Sequence, residues 1–285
     1  MASLQIIKRR IKSVKSTRQI TKAMQLVAAS KLRRAQSAAT GPQAYTAAAR
    51  QLLLDLSGQT ATVGHPLFAV RPVKRALAIF IAGDRGMAGG YNANIIRALV
   101  RQMKATPAEY SAIAVGKRAA MHVARAKDVN QIAAYDVEAG DPGADIALPV
   151  LSEAIRLFRD GQVDRVDIIT TEFVSTVTQR VAVRQLLPVQ LPEGTKPTGE
   201  ATMEPNPEAL VELAVRRVLE AEMTQAILDA RASEQAARMM AMMNATDNAD
   251  DIIGDLTLVF NNARQAGITQ QLTEISGGTE AITAS

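Results

Sequence analysis

The glycine-rich stretch GDRGMAGGYN, residues 83–92, has the residue types best suited to ligand chemistry in this sequence. It stands between a predicted strand and a predicted helix, where the backbone N–H groups of a turn can bind phosphate. Its spacing is not G-x-G-x-x-G, and Gly116 and Lys117 follow the next strand where a dinucleotide site has a carboxylate. Arg118 stands where a P-loop has Ser or Thr. A nucleotide-dependent enzyme that uses residues 83–90 is therefore an alternative that the spacing disfavours.

The other residue types do not form a recognisable catalytic set. The 285 residues include no cysteine and two histidines, His65 and His122, which stand in unrelated surroundings. This composition excludes disulfide and thiol chemistry, and it provides neither a zinc-binding pattern nor a Ser-His-Asp arrangement. We expect a noncatalytic chain with no metal or cofactor of its own.

The net charge of +5 is unevenly distributed along the chain. Residues 1–54 contain eleven Lys or Arg and no acid, whereas residues 206–285 contain five basic and twelve acidic residues. Helices of opposite charge attract when they lie side by side, so we expect the two ends to pair. Nucleic-acid binding by the basic end is the alternative, but Tyr45 is the only aromatic residue there.

Both ends have the pattern of long helices. Residues 1–40 contain neither Gly nor Pro, and Asn206, Pro207 and Glu208 form a helix-start signal. Apolar or small residues then recur at alternating intervals of three and four, which is typical of a coiled-coil seam. The seam positions are Val211, Ala214, Val218, Ala221, Gln225, Leu228, Ala232, Gln235, Met239, Met242, Thr246, Ala249, Ile253, Leu256, Phe260 and Ala263.

The apolar stripe of the first helix changes position along its length. It runs in one register from Leu4 to Val14, and then reappears one position away at Ile20, Met24 and Val27. A displacement of one residue turns the stripe by about 100° around a helix. We therefore expect the second half to face a different neighbour.

Gly41 and Pro42 are expected to kink or interrupt the first helix, because proline removes a backbone donor and clashes with the preceding turn. The following middle region, residues 66–205, alternates predicted strands and helices. RALAIFIA and YSAIAVG have the composition of buried strands, and residues 164–189 predict two more strands around a turn. Alternating elements favour a parallel sheet.

The predicted fold class is therefore α/β plus a long antiparallel α-helical coiled coil, in which the central insert is a small Rossmann-like domain. The predicted division is residues 1–65 for the N-terminal helix, 66–205 for the insert and 206–285 for the C-terminal helix. The longest apolar run, residues 76–82, is far shorter than the roughly 20 residues needed to span a bilayer.

Four stretches resemble the gamma-subunit family of F-type ATP synthases, and the resemblance covers nearly the whole chain. They are STRQITKAMQLVAASKLRRAQ, GDRGMAGGYN, ASEQAARMMAMMNATDNADDII and NNARQAGITQQLTEISGG. The resemblance implies a noncatalytic rotor shaft that couples proton-driven rotation of the c ring to ATP synthesis and hydrolysis in the beta subunits. It implies no cofactor on this chain, since ATP, ADP and Mg²⁺ are bound by the alpha and beta subunits.

The resemblance also implies where partners bind. In that family the helix pair occupies the cavity of a ring of three alpha and three beta subunits. Met24, Arg264, Gln265 and Thr269 match positions that contact the beta subunit.

A second implied contact is with the c-subunit ring and the epsilon subunit, for which Met203 and Glu204 lie in the matching segment. The resemblance implies no nucleic-acid partner and a membrane association that is made only through the complex. The implied location is peripheral, at the cytoplasmic face of the bacterial inner membrane, or on the matrix side for a mature mitochondrial chain.

Overall fold

The computed structural model describes residues 2–57, 65–126, 128–137, 143–190 and 207–283. The predicted contact residues Met203 and Glu204 lie outside these ranges. The chain forms two compact units, which we call the helical unit (Met1–Val27 with Met239–Ser285) and the sheet unit (Ala28–Arg238). The division predicted from the sequence, with boundaries after residues 65 and 205, stays a prediction.

The first helix, α1, extends without a break over Ala2–Ser57. Of the two outcomes expected at Gly41 and Pro42, the interruption is therefore wrong, and the kink stays a prediction. One proline removes a single backbone hydrogen bond, and the turns on both sides continue the helical ladder. Gly41 is exposed, and a Cβ atom added there would meet no atom within 4 Å. No neighbouring group forces the chain to turn at this glycine.

The last helix, α5, spans Pro207–Thr283. Its predicted seam is buried or half-buried at every position, including buried Val211, Gln225 and Ala249 and half-buried Ala263. In the sheet unit a second set of α5 side chains is also buried, and these pack in the core beside the sheet. This set includes Val215, Leu219, Met223, Ala226, Ile227 and Ala230.

The sequence-based reading missed this second buried face of α5. A seam spaced by three and four predicts one partner, whereas a helix enclosed on two sides is apolar around most of its circumference. The run of small and apolar residues between Val211 and Ala237 is the signal that could have indicated it.

The sheet has five strands in the order β3-β2-β1-β4-β5. They are β1 (Arg75–Ile81), β2 (Glu109–Val115), β3 (Val129–Tyr135), β4 (Arg165–Phe173) and β5 (Gln179–Leu187). The first four are parallel, and β5 pairs antiparallel with β4 across the predicted turn. The expected parallel sheet thus carries one antiparallel edge strand, and β3 is a strand that the sequence reading did not identify.

Three shorter helices cover the sheet: α2 (Tyr91–Ala105), α3 (Lys117–Val123) and α4 (Ala147–Arg159). Alternate residues of β1 face opposite layers, as the pleat of a strand requires. Leu77 and Ile79 join the core that includes α4 and α5, whereas Ala78 and Phe80 join the core of α2 and α3. The sheet unit is an α/β/α sandwich in which α5 supplies part of one layer.

In the helical unit, α1 and α5 run antiparallel. The hydroxyl of Thr21 lies 2.9 Å from that of Thr246, and Arg18 forms an ion pair with Asp250. The residue number rises on α5 as it falls on α1, which occurs only between antiparallel helices. The predicted fold class is confirmed. No helix within the described ranges is both long and apolar enough to cross a membrane.

Candidate functional site

The register of the helical unit follows from its two polar contacts. Because both helices rise equally per residue, opposing residues of an antiparallel pair have numbers with a nearly constant sum. The sum is 267 for Thr21 with Thr246 and 268 for Arg18 with Asp250. Continuing this register places Ile11 opposite Leu256.

The side chains near the end of α5 are open to solvent. Every side chain from Ile268 to Ser276 is exposed, on all sides of the helix. This part of α5 therefore has an accessible surface around its whole circumference within the described residues.

Arg264, Gln265 and Thr269 are exposed just before this open part of α5 or at its beginning. At 100° per residue they lie within a sector of about 140°, in which Arg264 borders the seam and Gln265 and Thr269 point away from it. Exposed apolar side chains share that sector, among them Ile268 at 44% and Leu272 at 62% exposure. Guanidinium, amide, hydroxyl and apolar groups on one accessible face can bind a protein surface.

Met24 does not join this face. By the register it lies near residue 243 of α5, about 20 residues and roughly 30 Å along the helix from Arg264. Its side chain is half-buried, whereas Ile20 and Val27 on the same stripe are 60% and 56% exposed. The structure thus brings three of the predicted contact residues together and places Met24 at a separate level with its own exposed apolar neighbours.

The two helices of the helical unit have opposite charge. The α1 part has seven basic residues and no acid, and the α5 part has six acids and one basic residue, Arg264. A partner that meets the α1 side therefore meets a different potential from one that meets the α5 side. The pair has chemically unequal sides.

The glycine-rich turn of the sheet unit is held by the chain itself. The Gly83 N–H donates to Asn92 Oδ1 at 3.0 Å, and the Lys117 N–H donates to Asp84 Oδ1 at 3.2 Å. Arg231 of α5 donates from Nη1 to Asp84 Oδ2 at 2.7 Å. The turn is the stretch that the sequence suggested as a phosphate site. In the structure the Asp84 carboxylate lies between this turn and the N-terminus of α3.

Close packing accounts for two glycines near this turn. Gly116 has a φ of 96°, and a Cβ there would lie 2.3 Å from the Ala82 carbonyl oxygen. A Cβ on Gly83 would lie 2.9 Å from the carboxylate of Glu234. Gly116 needs a residue without a side chain, and a side chain at position 83 would displace the buried Glu234 carboxylate. Neither explanation involves a ligand.

The sequence reading missed a buried group of charges on α5. Glu234 is 2% exposed, and its carboxylate accepts from Arg238 Nη2 at 2.6 Å and from Arg231 Nη1 at 3.2 Å. The signal was three charges at helical spacing inside an otherwise apolar and small-residue stretch. Nearby, the Tyr91 hydroxyl donates to the Ala230 carbonyl at 3.0 Å. Burial, aided by the Glu234 carboxylate, raises the pKa of Tyr91 far above its usual range.

Comparison with known proteins identifies the family to which this chain is similar. A family model described as ATP synthase matches residues 3–282. The ATP synthase gamma chain of Moorella thermoacetica is 38% identical over 282 residues, which cover 99% of this chain and 100% of that relative. The ATP synthase gamma chain of Heliobacterium modesticaldum is 39% identical over 292 residues, with 99% and 100% covered.

A solved structure has the same fold. It is a chain of the cryo-EM structure of Euglena gracilis mitochondrial ATP synthase, comprising OSCP, F1 and c-ring in rotational state 3. The similarity has a TM-score of 0.69 at 19% identity and covers 99% of this chain and 95% of that one. With the family model and the close relatives over the full length, the conclusion is that this chain belongs to the family of ATP synthase gamma chains.

Proposed function

We propose that this chain is the noncatalytic rotor shaft of an F-type ATP synthase. It couples proton-driven rotation of the c ring to ATP synthesis and hydrolysis in the catalytic beta subunits. The observation that carries this proposal is the antiparallel helix pair with unequal sides, in a chain of the gamma family. Similar solved chains come from assemblies described as rotor and as OSCP/F1/c-ring, which supports the same role.

The mechanism follows from differential contact. A shaft inside a ring of three alpha and three beta subunits presents its basic α1 side, its acidic α5 side and its exposed apolar stripes to different subunits at each angle. A contact surface changes a conformational equilibrium only when its free energy of interaction differs between the two conformations. Because the sides of the shaft are unequal, its free energy of interaction with a given beta subunit changes with angle and with the conformation of that subunit. Each angle therefore favours a different nucleotide affinity in each beta subunit.

The beta-subunit contacts are assigned to Arg264, Gln265 and Thr269 at one level and to Met24 at another. Support comes from the shared exposed sector of the first three and from the exposed apolar neighbours of Met24. Two separate levels would allow the ring to contact the shaft at two heights.

The remaining assignments concern the other partners. Met203 and Glu204 are assigned to the contact with the c ring and the epsilon subunit. ATP, ADP and Mg²⁺ are bound by the alpha and beta subunits, and this chain has no cofactor or nucleic-acid partner. The chain is peripheral, at the cytoplasmic face of the bacterial inner membrane or on the matrix side in mitochondria, and reaches the membrane through the complex.

Reconstitution tests the proposal. Complexes assembled with and without this chain are placed in vesicles, and ATP synthesis is measured under an imposed proton gradient. We expect synthesis only when the chain is present, at one copy for three alpha and three beta subunits. Undiminished proton-driven synthesis without the chain would refute the rotor function.

A further inference from the structure

Four charged side chains of the sheet unit form an alternating series between the glycine-rich turn and α5. The series, called here the charge chain, consists of Asp84, Arg231, Glu234 and Arg238. Arg231 Nη1 bridges Asp84 Oδ2 at 2.7 Å and Glu234 Oε2 at 3.2 Å, and Arg238 Nη2 meets Glu234 Oε1 at 2.6 Å. The four formal charges cancel.

The charge chain is removed from solvent, so its geometry is strongly determined. The side chain of Glu234 is 3% exposed, and those of Arg231 and Arg238 are 14% and 11% exposed. Breaking one partner of a buried pair leaves an uncompensated charge, which is far more costly than breaking a surface pair. Rotation of α5 about its axis would separate Arg231 from Asp84, and the burial of these charges resists that movement.

The Glu234 carboxylate also lies close to the backbone of the turn. A Cβ atom added at Gly83 would lie 2.9 Å from both Cδ and Oε1 of Glu234. The space between the turn and this carboxylate is therefore too small for a side chain at residue 83 while Glu234 keeps its position, which adds a steric limit to the directional ion pairs.

The position of the charge chain along α5 determines where it can resist rotation of this helix. Apolar packing is not directional, whereas charge-assisted hydrogen bonds depend on angle and distance. Other polar links also join α5 to the rest of the sheet unit, at the Glu212 carboxylate, at the carbonyls of Ala226 and Ala230 and at the hydroxyl of Ser233. The charge chain reaches furthest along the helix, to Arg238, the last residue of the sheet unit.

We propose that Glu234 is a positioning residue that fixes the rotational setting of α5 against the glycine-rich turn and makes this connection torsionally stiff. The inference rests on the proposed rotor function, because stiffness here serves the transfer of torque into α5. Glu234 holds Arg231 and Arg238 in place, and Arg231 in turn holds Asp84 of the turn.

The first test measures local opening in the isolated full-length chain, which does not require rotation. Glu234→Gln keeps the side-chain shape and removes the charge. We expect amide hydrogen exchange at Gly83 and Lys117 to become about tenfold faster, as loss of a charged hydrogen bond predicts. Glu220→Gln is the matched control, since Glu220 also pairs with two arginines, Arg216 and Arg217 of its own helix.

The second test measures stiffness in the assembled complex. A bead is attached to the sheet unit, the ring of alpha and beta subunits is fixed, and angular fluctuation is recorded during catalytic pauses. We expect a wider distribution for Glu234→Gln than for the wild type and for Glu220→Gln. Asp84→Asn leaves the sequence of α5 unchanged and should also widen the angular distribution. It replaces Glu234→Gln in this test if the Glu234→Gln complex does not assemble.

Two outcomes would overturn the proposal. One is a rate of amide hydrogen exchange at Gly83 and Lys117 in Glu234→Gln that equals the rate in Glu220→Gln. The other is faster exchange with an unchanged angular distribution, which would assign Glu234 to stability alone. Absence of rotation in the wild-type complex would instead contradict the rotor function, and the exchange comparison would still decide whether Glu234 fixes the turn.

Discussion

Thr21 and Thr246 join α1 and α5 through a hydrogen bond of 2.9 Å between their buried hydroxyl groups. Thr21 can also donate to the Arg18 carbonyl at 3.0 Å, and Thr246 to the Met242 carbonyl at 2.8 Å. Two hydroxyl protons can make only two of these three bonds at once, so the bond between the helices forms when one of the two carbonyl bonds is given up. A polar pair inside a helix seam sets the register, since any other alignment leaves both groups beside apolar side chains.

Thr246→Val should lower the free energy of unfolding of the full chain by about 1 kcal/mol, because it removes one buried hydrogen bond and keeps the side-chain shape. A double-mutant cycle with Thr21→Val, followed by urea unfolding, should give a coupling of about 0.5–1.5 kcal/mol. Thr257→Val is the control, since the exposed Thr257 hydroxyl donates to the Ile253 carbonyl of its own helix. Equal losses for Thr246→Val and Thr257→Val would contradict the register role.

Asp250→Asn should have a small effect that depends on salt. The side chains of Arg18 and Asp250 are 44% and 50% exposed, and such surface pairs contribute about 0–1 kcal/mol. We expect a measurable decrease in melting temperature at low ionic strength that disappears at about 1 M salt, where screening is strong. A loss that persists at high salt would show that the pair acts by more than charge.

Two glycine substitutions should change stability in opposite directions. Gly116→Ala should destabilise by more than about 1 kcal/mol, because φ is 96° and the new Cβ would clash with the Ala82 carbonyl. Gly254→Ala should stabilise by about 0.5–1 kcal/mol, since Gly254 lies inside α5 with no atom within 4 Å of the added Cβ. Thermal unfolding measures both, and a stabilising Gly116→Ala would refute the backbone assignment.

Asp229 should make the chain less stable as the pH rises. Burial raises the pKa of its carboxyl, although a hydrogen bond from Gln225 and the nearby Arg184 oppose that effect. The folded chain therefore holds this proton more tightly than the unfolded chain, so the free energy of unfolding falls as the pH rises from about 3.8 through the raised pKa. Asp229→Asn should remove this slope and increase stability at pH 7.

Glu212 provides a comparison of opposite sign. Burial would raise the pKa of its carboxyl, but hydrogen bonds from Arg159 and His65 outweigh burial and lower it. Its stabilisation is present above the ordinary value of 4.5 and is lost as the pH falls through the lowered pKa. Glu212→Gln should therefore reduce stability at pH 7, where Asp229→Asn increases it. Urea unfolding at pH 4 and pH 7 checks both directions.

Combined alanine substitution of Arg264, Gln265 and Thr269 should reduce proton-driven ATP synthesis in reconstituted vesicles while leaving the unfolding of the free chain nearly unchanged. All three side chains are exposed, so their removal affects partner contact more than folding. Gln270→Ala is the matched control, because Gln270 is exposed on a different side of the same helix and donates to Glu274 of that helix. Unimpaired synthesis and rotation by the triple variant would end the site assignment.

The seam of α5 could be predicted from the sequence because helical periodicity is a local property. Spacing of three and four places residues such as Val211 and Ala249 on one stripe whatever the partner. The same locality explains the correct prediction of β1 and β2, whose apolar runs must be buried on both faces in a parallel sheet. The opposite charges of the two ends likewise indicated that they pair.

Tertiary structure decided the rest, because those features depend on groups far apart in the sequence. Arg231 meets Asp84 across 147 positions, so no local pattern could show that the glycine-rich turn is closed by α5 rather than by a ligand. The second buried face of α5 exists only because the sheet lies against it. Periodicity determines which side chains share a face, but only the folded chain determines what that face meets.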